Sequence, residues 1–253
     1  MTETLFFIIL YVIIFLFGIV IGSFLNVCIF RIPKGESIAK ERSHCMSCGY
    51  QLAWYDLIPL FSWIFLGGKC RKCRAPISPQ YPIIEAANGI LYVLIFLICG
   101  FTMESVLYCL AVSALLALSV IDFRTFEIPF GFVVFIGALG VIRLVLDYTN
   151  WLTYLIGLFA VSVPLLIILL ASKGRAIGGG DVKLMAACGL LLGWKLILPA
   201  FIMGCILGSV IHIIRIRVSG EGHVLAMGPY LSAGVLLSML FGNALVNWYI
   251  GLF

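Results

Sequence analysis

Two aspartates and four cysteines carry the chemistry that can be read directly from this chain. Asp181 follows Gly178, Gly179 and Gly180 and opens an apolar run beginning at Val182. Asp122 closes another apolar run, in the stretch Ser119-Val120-Ile121-Asp122-Phe123-Arg124. An acid deep in a membrane helix costs about 2.5–3.5 kcal/mol on insertion scales, so each is expected to face a cavity and to serve a function there. Glycine permits positive φ and close approach of a substrate chain, which makes Gly178 and Gly180, with Lys183 beside them, the expected supports of the Asp181 loop. Two carboxylates at similar depth allow aspartyl-protease chemistry: the ionised acid deprotonates water and the protonated one polarises a scissile carbonyl. A helix start favours negative charge and a helix end opposes it, so Asp181 is expected to be the ionised member. The plain alternative pairs Asp122 with Arg124 and Asp181 with Lys183, although residues two apart do not face each other on a helix.

The second constellation is Cys45-Met46-Ser47-Cys48 and Cys70-Arg71-Lys72-Cys73, two CxxC pairs separated by 21 residues. Four thiolates at this spacing suit a tetrahedral ion, which would supply folding energy to a loop lacking a large apolar core. Zinc is the expected metal; a rubredoxin-like iron uses the same ligands. No histidine follows either pair, which excludes a c-type haem site. His44 adjoins the first pair and is expected to stay outside a completed set of four ligands, and His223 has no assignable task.

The elements that must position these groups are membrane helices. With 63% apolar and 11% charged residues in 253, the chain cannot be a soluble globule. Apolar stretches at 5–27, 82–101, 104–121, 129–147, 151–172, 182–193, 196–214 and 226–250 predict an all-α polytopic membrane protein with about eight transmembrane helices. The first is expected to remain as an anchor, since no small-residue cleavage site follows it. Within it, Gly18 and Gly22 form a small-xxx-small pair able to admit a second helix closely. Twelve residues at 182–193 span only about 18 Å as a helix, and Pro164 is expected to kink the fifth span. Residues 28–81 carry eight Lys/Arg against three Asp/Glu and should be cytoplasmic. Both termini are then extracytoplasmic, and of the 16 basic residues only Arg143 and Lys195 fall on the outer side. The expected domains are 1–27, the first helix; 28–81, a small cytoplasmic zinc-binding loop domain; and 82–253, a seven-helix intramembrane core.

These residues together resemble the type IV prepilin leader peptidase and N-methyltransferase family, whose proteases carry a GxGD motif. The stretches concerned are Gly22-Ser-Phe-Leu-Asn-Val27, the two cysteine pairs, Trp54-Tyr-Asp-Leu-Ile-Pro59, Pro76-Ile-Ser-Pro-Gln-Tyr-Pro82 with Glu85, Asp122 before Ile128-Pro129, and Gly178-Gly-Gly-Asp-Val-Lys-Leu184. The resemblance implies that Asp122 and Asp181 are a catalytic pair. It further implies that prepilin or pseudopilin precursors are cleaved after a glycine at the cytoplasmic face of a bacterial inner membrane. It also implies methylation of the new amino terminus by S-adenosylmethionine, with Glu85 near that site, in a setting of membrane lipid and without nucleic acid. Ala226-Met227-Gly228-Pro229-Tyr230 is a variant of a Pro-Phe-Gly-Pro-like motif expected near the substrate groove. The rival readings are a proton-coupled transporter using the two acids, a metal-binding scaffold without catalysis, and a methyltransferase without proteolysis. A transporter would be marked by matching interrupted helices in two halves of the chain, and no internal repeat is evident.

Overall fold

The structure, a computed structural model, describes residues 2–219 and 225–252; His223 lies outside them. Its described residues form helices and loops, with two isolated β-bridges and no strand. Six helical stretches are long and apolar enough to cross a membrane, which makes this a multi-pass membrane protein; Phe130–Leu146 is a shorter apolar helix. The chain divides into two compact units, Met1–Gly100 and Phe101–Phe253.

In the first unit, α1 (Thr2–Arg31) packs along α3 (Gln80–Cys99), and the loop between them carries the short helix α2 (Phe61–Phe65). Helix α1 is apolar almost all round, yet Gly18, Ile19, Gly22, Leu25, Asn26 and Ile29 form a buried stripe at helical spacing. Lipid replaces water on the outside, so what distinguishes the packed face is small size and hydrogen bonding. A Cβ on Gly18 would stand 2.7 Å from Gly89 Cα, and one on Gly22 2.7 Å from Glu85 Cα. The small pair therefore does admit a second helix. Asn88 Nδ2 donates to the Gly18 carbonyl at 2.7 Å, a bond worth about 0.6–2 kcal/mol between membrane helices.

The second unit holds α4 (Met103–Thr125), α5 (Phe130–Leu146), α6 (Trp151–Ala160), α7 (Ser162–Ala171), α8 (Gly179–Leu192), α9 (Trp194–Ser219) and α10 (Gly228–Ile250). Helices α4 and α8 lie inside it. Buried residues include thirteen of α4 and eight of the 14 of α8, whereas α7 buries only Ser162 and Leu165. Helix α8 contacts α5, α6, α7 and α9. Gly157 of α6 and Gly189 of α8 meet backbone to backbone, leaving no room for a side chain at either. The same device joins α9 to α10, where Gly234 faces the Ala200 carbonyl and Gly204.

The fifth apolar stretch is broken between α6 and α7 at Val161. Pro164 explains the place: its ring clashes with the carbonyl four residues back, that of Ala160, and it offers no N–H to that group. The following break falls at Gly193, with φ +77, one residue before Trp194. Gly178, Gly179 and Gly180 are not in the left-handed region; the positive φ values lie just upstream, at Lys173 and Gly174. The glycines of the Asp181 loop therefore provide space rather than unusual dihedral angles.

Candidate active site and metal centre

Asp122 lies one turn from the end of α4 and is 4% exposed. Its main-chain carbonyl accepts the N–H of Phe126, the left-handed residue that ends α4, at 2.8 Å. Its side chain is held by another element, since the Gly228 N–H donates to Oδ2 at 2.9 Å. Gly228 is the first residue of α10, and its N–H is one of the donors a helix leaves unpaired at its start. A Cβ built there would sit 2.7 Å from Asp122 Oδ2. Only glycine brings that N–H so close.

Asp181 occupies the first turn of α8, where Gly178 is the N-cap in extended backbone. Its carboxylate reaches back toward the Gly178 N–H, as an acid at the third helical position commonly does. A Cβ on Gly178 would lie 3.2 Å from Asp181 Oδ2. Gly180 is packed against Ile128, 3.1 Å from an added Cβ, which ties the glycine turn to the loop leaving α4. Asp122 and Asp181 are close enough for their charges to act on one another. Lys183 is directed to the Phe130 ring, 5.3 Å from its centroid, and Asp122 takes the Gly228 amide. Neither contact matches the base pairings that neighbouring sequence positions suggest. The helix-dipole argument also changes, because the positive end of α10 meets Asp122 even though that residue ends α4.

In the first unit, the Sγ atoms of Cys45, Cys48, Cys70 and Cys73 all lie within 4.8 Å of one another. The Cys45 and Cys73 sulfurs are 3.8 Å apart, the edge of a tetrahedron with metal–sulfur bonds of about 2.3 Å. The donor set fits a zinc ion. The two knuckles are built alike. Cys45 N–H donates to the Tyr50 carbonyl at 2.8 Å and Gly49 N–H to the Cys45 carbonyl at 2.9 Å; Cys70 bonds Ala75 at 2.8 Å and Arg74 bonds Cys70 at 3.0 Å. Gly49 and Arg74 occupy equivalent places, with φ +69 and +61. His44 stands aside from the cluster, its Nδ1 3.3 Å from the Arg42 carbonyl.

The Ser47 and Cys48 N–H groups pull the Cys45 thiol down to about 6. For Cys73 the Ala75 N–H acts in the same direction but is outweighed by desolvation and by bonds from the other three cysteines, which leave it at about 11. The opposite shifts express one shared property: the cluster takes its first negative charge easily and resists the next. A cation at the centre removes that resistance.

Asp56 joins the rest of this loop to the second knuckle, a role its sequence context does not announce. Arg71 Nε donates to Asp56 Oδ1 at 2.8 Å, with the Asp56 side chain 2% exposed. Glu85 is buried where α3 meets α1, and its Oε2 accepts the Leu60 N–H at 2.7 Å.

A multi-pass helical protein with a buried carboxylate on α4, a half-buried one at the head of α8 and a four-thiol loop is thus defined by fold and site together. Family models match as the bacterial peptidase A24 N-terminal domain over residues 16–99 and the type IV leader peptidase family over residues 109–213. Curated relatives named prepilin leader peptidase/N-methyltransferase include one from Bacillus subtilis, 31% identical over 94% of this chain and 97% of the relative. One from Pseudomonas aeruginosa is 29% identical over 93% and 91%. One from Myxococcus xanthus is 34% identical over 83% of this chain and 64% of the relative's length. No solved structure matches. The chain belongs to the type IV leader peptidase family.

Proposed function

We propose that this chain removes the leader from type IV prepilins or pseudopilins and then methylates the amino terminus it has exposed. The observation that carries the peptidase reading is that one unit holds Asp122 at the end of buried α4 and Asp181 in the first turn of α8, with Ile128 of the loop leaving α4 packed on Gly180. In the proposed reaction one carboxylate takes a proton from water and the other donates a hydrogen bond to the scissile carbonyl. The Gly228 N–H orients Asp122, and the missing side chains at Gly178 and Gly180 let the Asp181 carboxylate and Ile128 pack closely at the head of α8. A glycine before the scissile bond weakens the substrate helix by about 1 kcal/mol relative to alanine, which favours local extension. Lys183, against Phe130, serves as a support of the α8 head and not as a partner of Asp181.

Zinc on Cys45, Cys48, Cys70 and Cys73 serves a structural role in this reading, since all four positions of a tetrahedral ion are filled by protein sulfur. S-adenosylmethionine, when bound, supplies an electrophilic methyl group to the new amine. The names borne by the relatives support both activities and do not favour the transporter reading. The site is a bacterial inner membrane with the loop at 28–81 cytoplasmic and both termini outside, a placement supported by the basic excess of that loop.

The test incubates purified protein with a prepilin and S-adenosylmethionine and reads the products by mass spectrometry. Loss of the leader followed by gain of one methyl group is expected; an intact leader after full incubation would contradict the peptidase reading.

A further inference from the structure

The loop between α1 and α3 carries more exposed apolar surface than a water-facing loop should. In α2, Ser62 and Trp63, with Leu66 just beyond, line a cavity of about 690 Å³ shared with Asn26, Phe30 and Glu85. Phe61, Ile64 and Phe65, at i, i+3 and i+4, make the other side of this helix and are 47%, 63% and 84% exposed. The 3₁₀ turn Trp54–Leu57 adds Trp54, 77% exposed, with Tyr55 and Leu57, and Ile58 follows it. Seven large apolar side chains within twelve residues thus stay exposed. A patch of this kind marks a contact with another protein or with a membrane.

Depth within the unit decides between the two. Helix α3 has 20 residues, a length of about 30 Å that matches the hydrocarbon core of a bilayer. Glu85 lies inside its start by about 7.5 Å along the axis, and helical side chains lean back toward that start. Its Oε2 accepts the N–H of Leu60, the residue before α2, at 2.7 Å. Leu60 has φ 62 and ψ −54, and the Phe61 N–H donates to the Pro59 carbonyl at 2.7 Å. This is a tight γ-turn, which an L-residue keeps only where its surroundings hold it. Helix α2 is therefore pinned level with the first turns of a spanning helix. The charge beside the patch suits lipid phosphate. Lys69, Arg71, Lys72 and Arg74 occur within residues 69–74, which contain no acid, and they outnumber the two negative charges of a zinc tetrathiolate. Arg71 lies 4.9 Å from the Tyr55 ring centroid, so the basic knuckle adjoins the apolar patch. Lys69, Lys72 and Arg74 are exposed and form no ion pair among the described residues.

We infer that α2 and the Trp54–Leu57 turn form an interfacial anchor that lays the cysteine loop on the bilayer leaflet from which it emerges. Phe61, Ile64 and Phe65 enter the boundary between headgroups and acyl chains, Trp54 and Tyr55 sit at headgroup level, and the basic residues of the second knuckle meet anionic lipid phosphates. Lipid then covers the outer side of α2 while its inner side keeps the cavity wall.

The test places the photoreactive residue p-benzoylphenylalanine at Phe65 in the full-length, zinc-loaded protein, held singly in nanodiscs of phosphatidylethanolamine and phosphatidylglycerol in equal parts. Adducts formed on illumination are identified by mass spectrometry. The same residue at Phe24, on the exposed side of α1, is the positive control for lipid, and retention of one zinc per chain verifies that each preparation is folded. Lipid adducts are expected at Phe65, with phosphatidylglycerol above its share of the disc. Lys72→Gln with Arg74→Gln should abolish that bias while lipid labelling continues. An adduct to the chain itself, to an added prepilin, or no adduct at Phe65 while Phe24 is labelled would overturn the anchor. Labelling of the two lipids in their mixing ratio by wild type would overturn the role given to the basic residues.

Discussion

At Asp122 the main chain and the side chain are fixed by different helices. The carbonyl belongs to the end of α4 through Phe126, and the carboxylate to the start of α10 through Gly228. Gly228→Ala should therefore act on the acid without removing it, since the new methyl group would press on Oδ2. Cleavage is expected to fall about 10²-fold, the cost of misplacing a reacting group by roughly an ångström. Methylation of a pre-cleaved substrate should be unaffected, and equal loss of both activities would mean that the variant had merely unfolded. The acids themselves were legible in the sequence because a charge at membrane depth is costly and so is conspicuous. The Gly228 contact was not. Its donor is a backbone N–H, 106 residues away in the chain and without any side chain to mark it.

The knuckles and the α1–α3 pair make the corresponding argument for elements. Cysteine spacing made the metal loop readable, but the equivalence of Gly49 and Arg74 emerges only from the hydrogen bonds around them. An L-residue in the left-handed region costs about 1–2 kcal/mol. Gly49→Val should weaken zinc retention by about that amount and Arg74→Gly should strengthen it, as read by competition with a chelator. Unchanged chelator midpoints in both would show that the turn geometry is not coupled to the metal. Removing zinc altogether should make residues 40–75 sensitive to trypsin, because the loop has little apolar core of its own; continued resistance would mean that the loop folds without the ion. Gly18 and Gly22 announced a close helix contact, but not which helix would fill it. Glu85 and Asn26 acquire a common cavity only once α1 and α3 are paired, so periodicity within either segment could not reveal it. The break at Val161 is a simpler case, since Pro164 was visible and its reach to Ala160 sets the position.

Across the whole molecule, composition marks a membrane protein, and charge placement predicts its orientation. The interior of the second unit follows a rule that hydropathy alone does not display. The two acid-bearing helices are the ones most enclosed in that unit, and α8, at 14 residues, carries its acid in its first turn. Gly157 and Gly189 let α6 close on α8, and Gly204 and Gly234 let α9 close on α10. The predicted orientation can be checked in intact cells. A cysteine placed in the loop at 28–81, in a background stripped of exposed thiols other than the zinc ligands, should resist a membrane-impermeant thiol reagent. One placed at residue 3 should react; the reverse pattern would invert the topology.

The most direct test of the account is cleavage of a prepilin by Asp122→Asn and Asp181→Asn, alongside methylation of a pre-cleaved substrate by the same preparations. Asparagine retains an oxygen for the Gly228 N–H in the first variant, so the local bond can survive the loss of charge. Each variant should lose cleavage by about 10²–10⁴-fold, the usual share of a general acid or base, while methylation continues. Cleavage near the wild-type rate in either variant would remove that aspartate from the reaction and contradict the two-carboxylate mechanism.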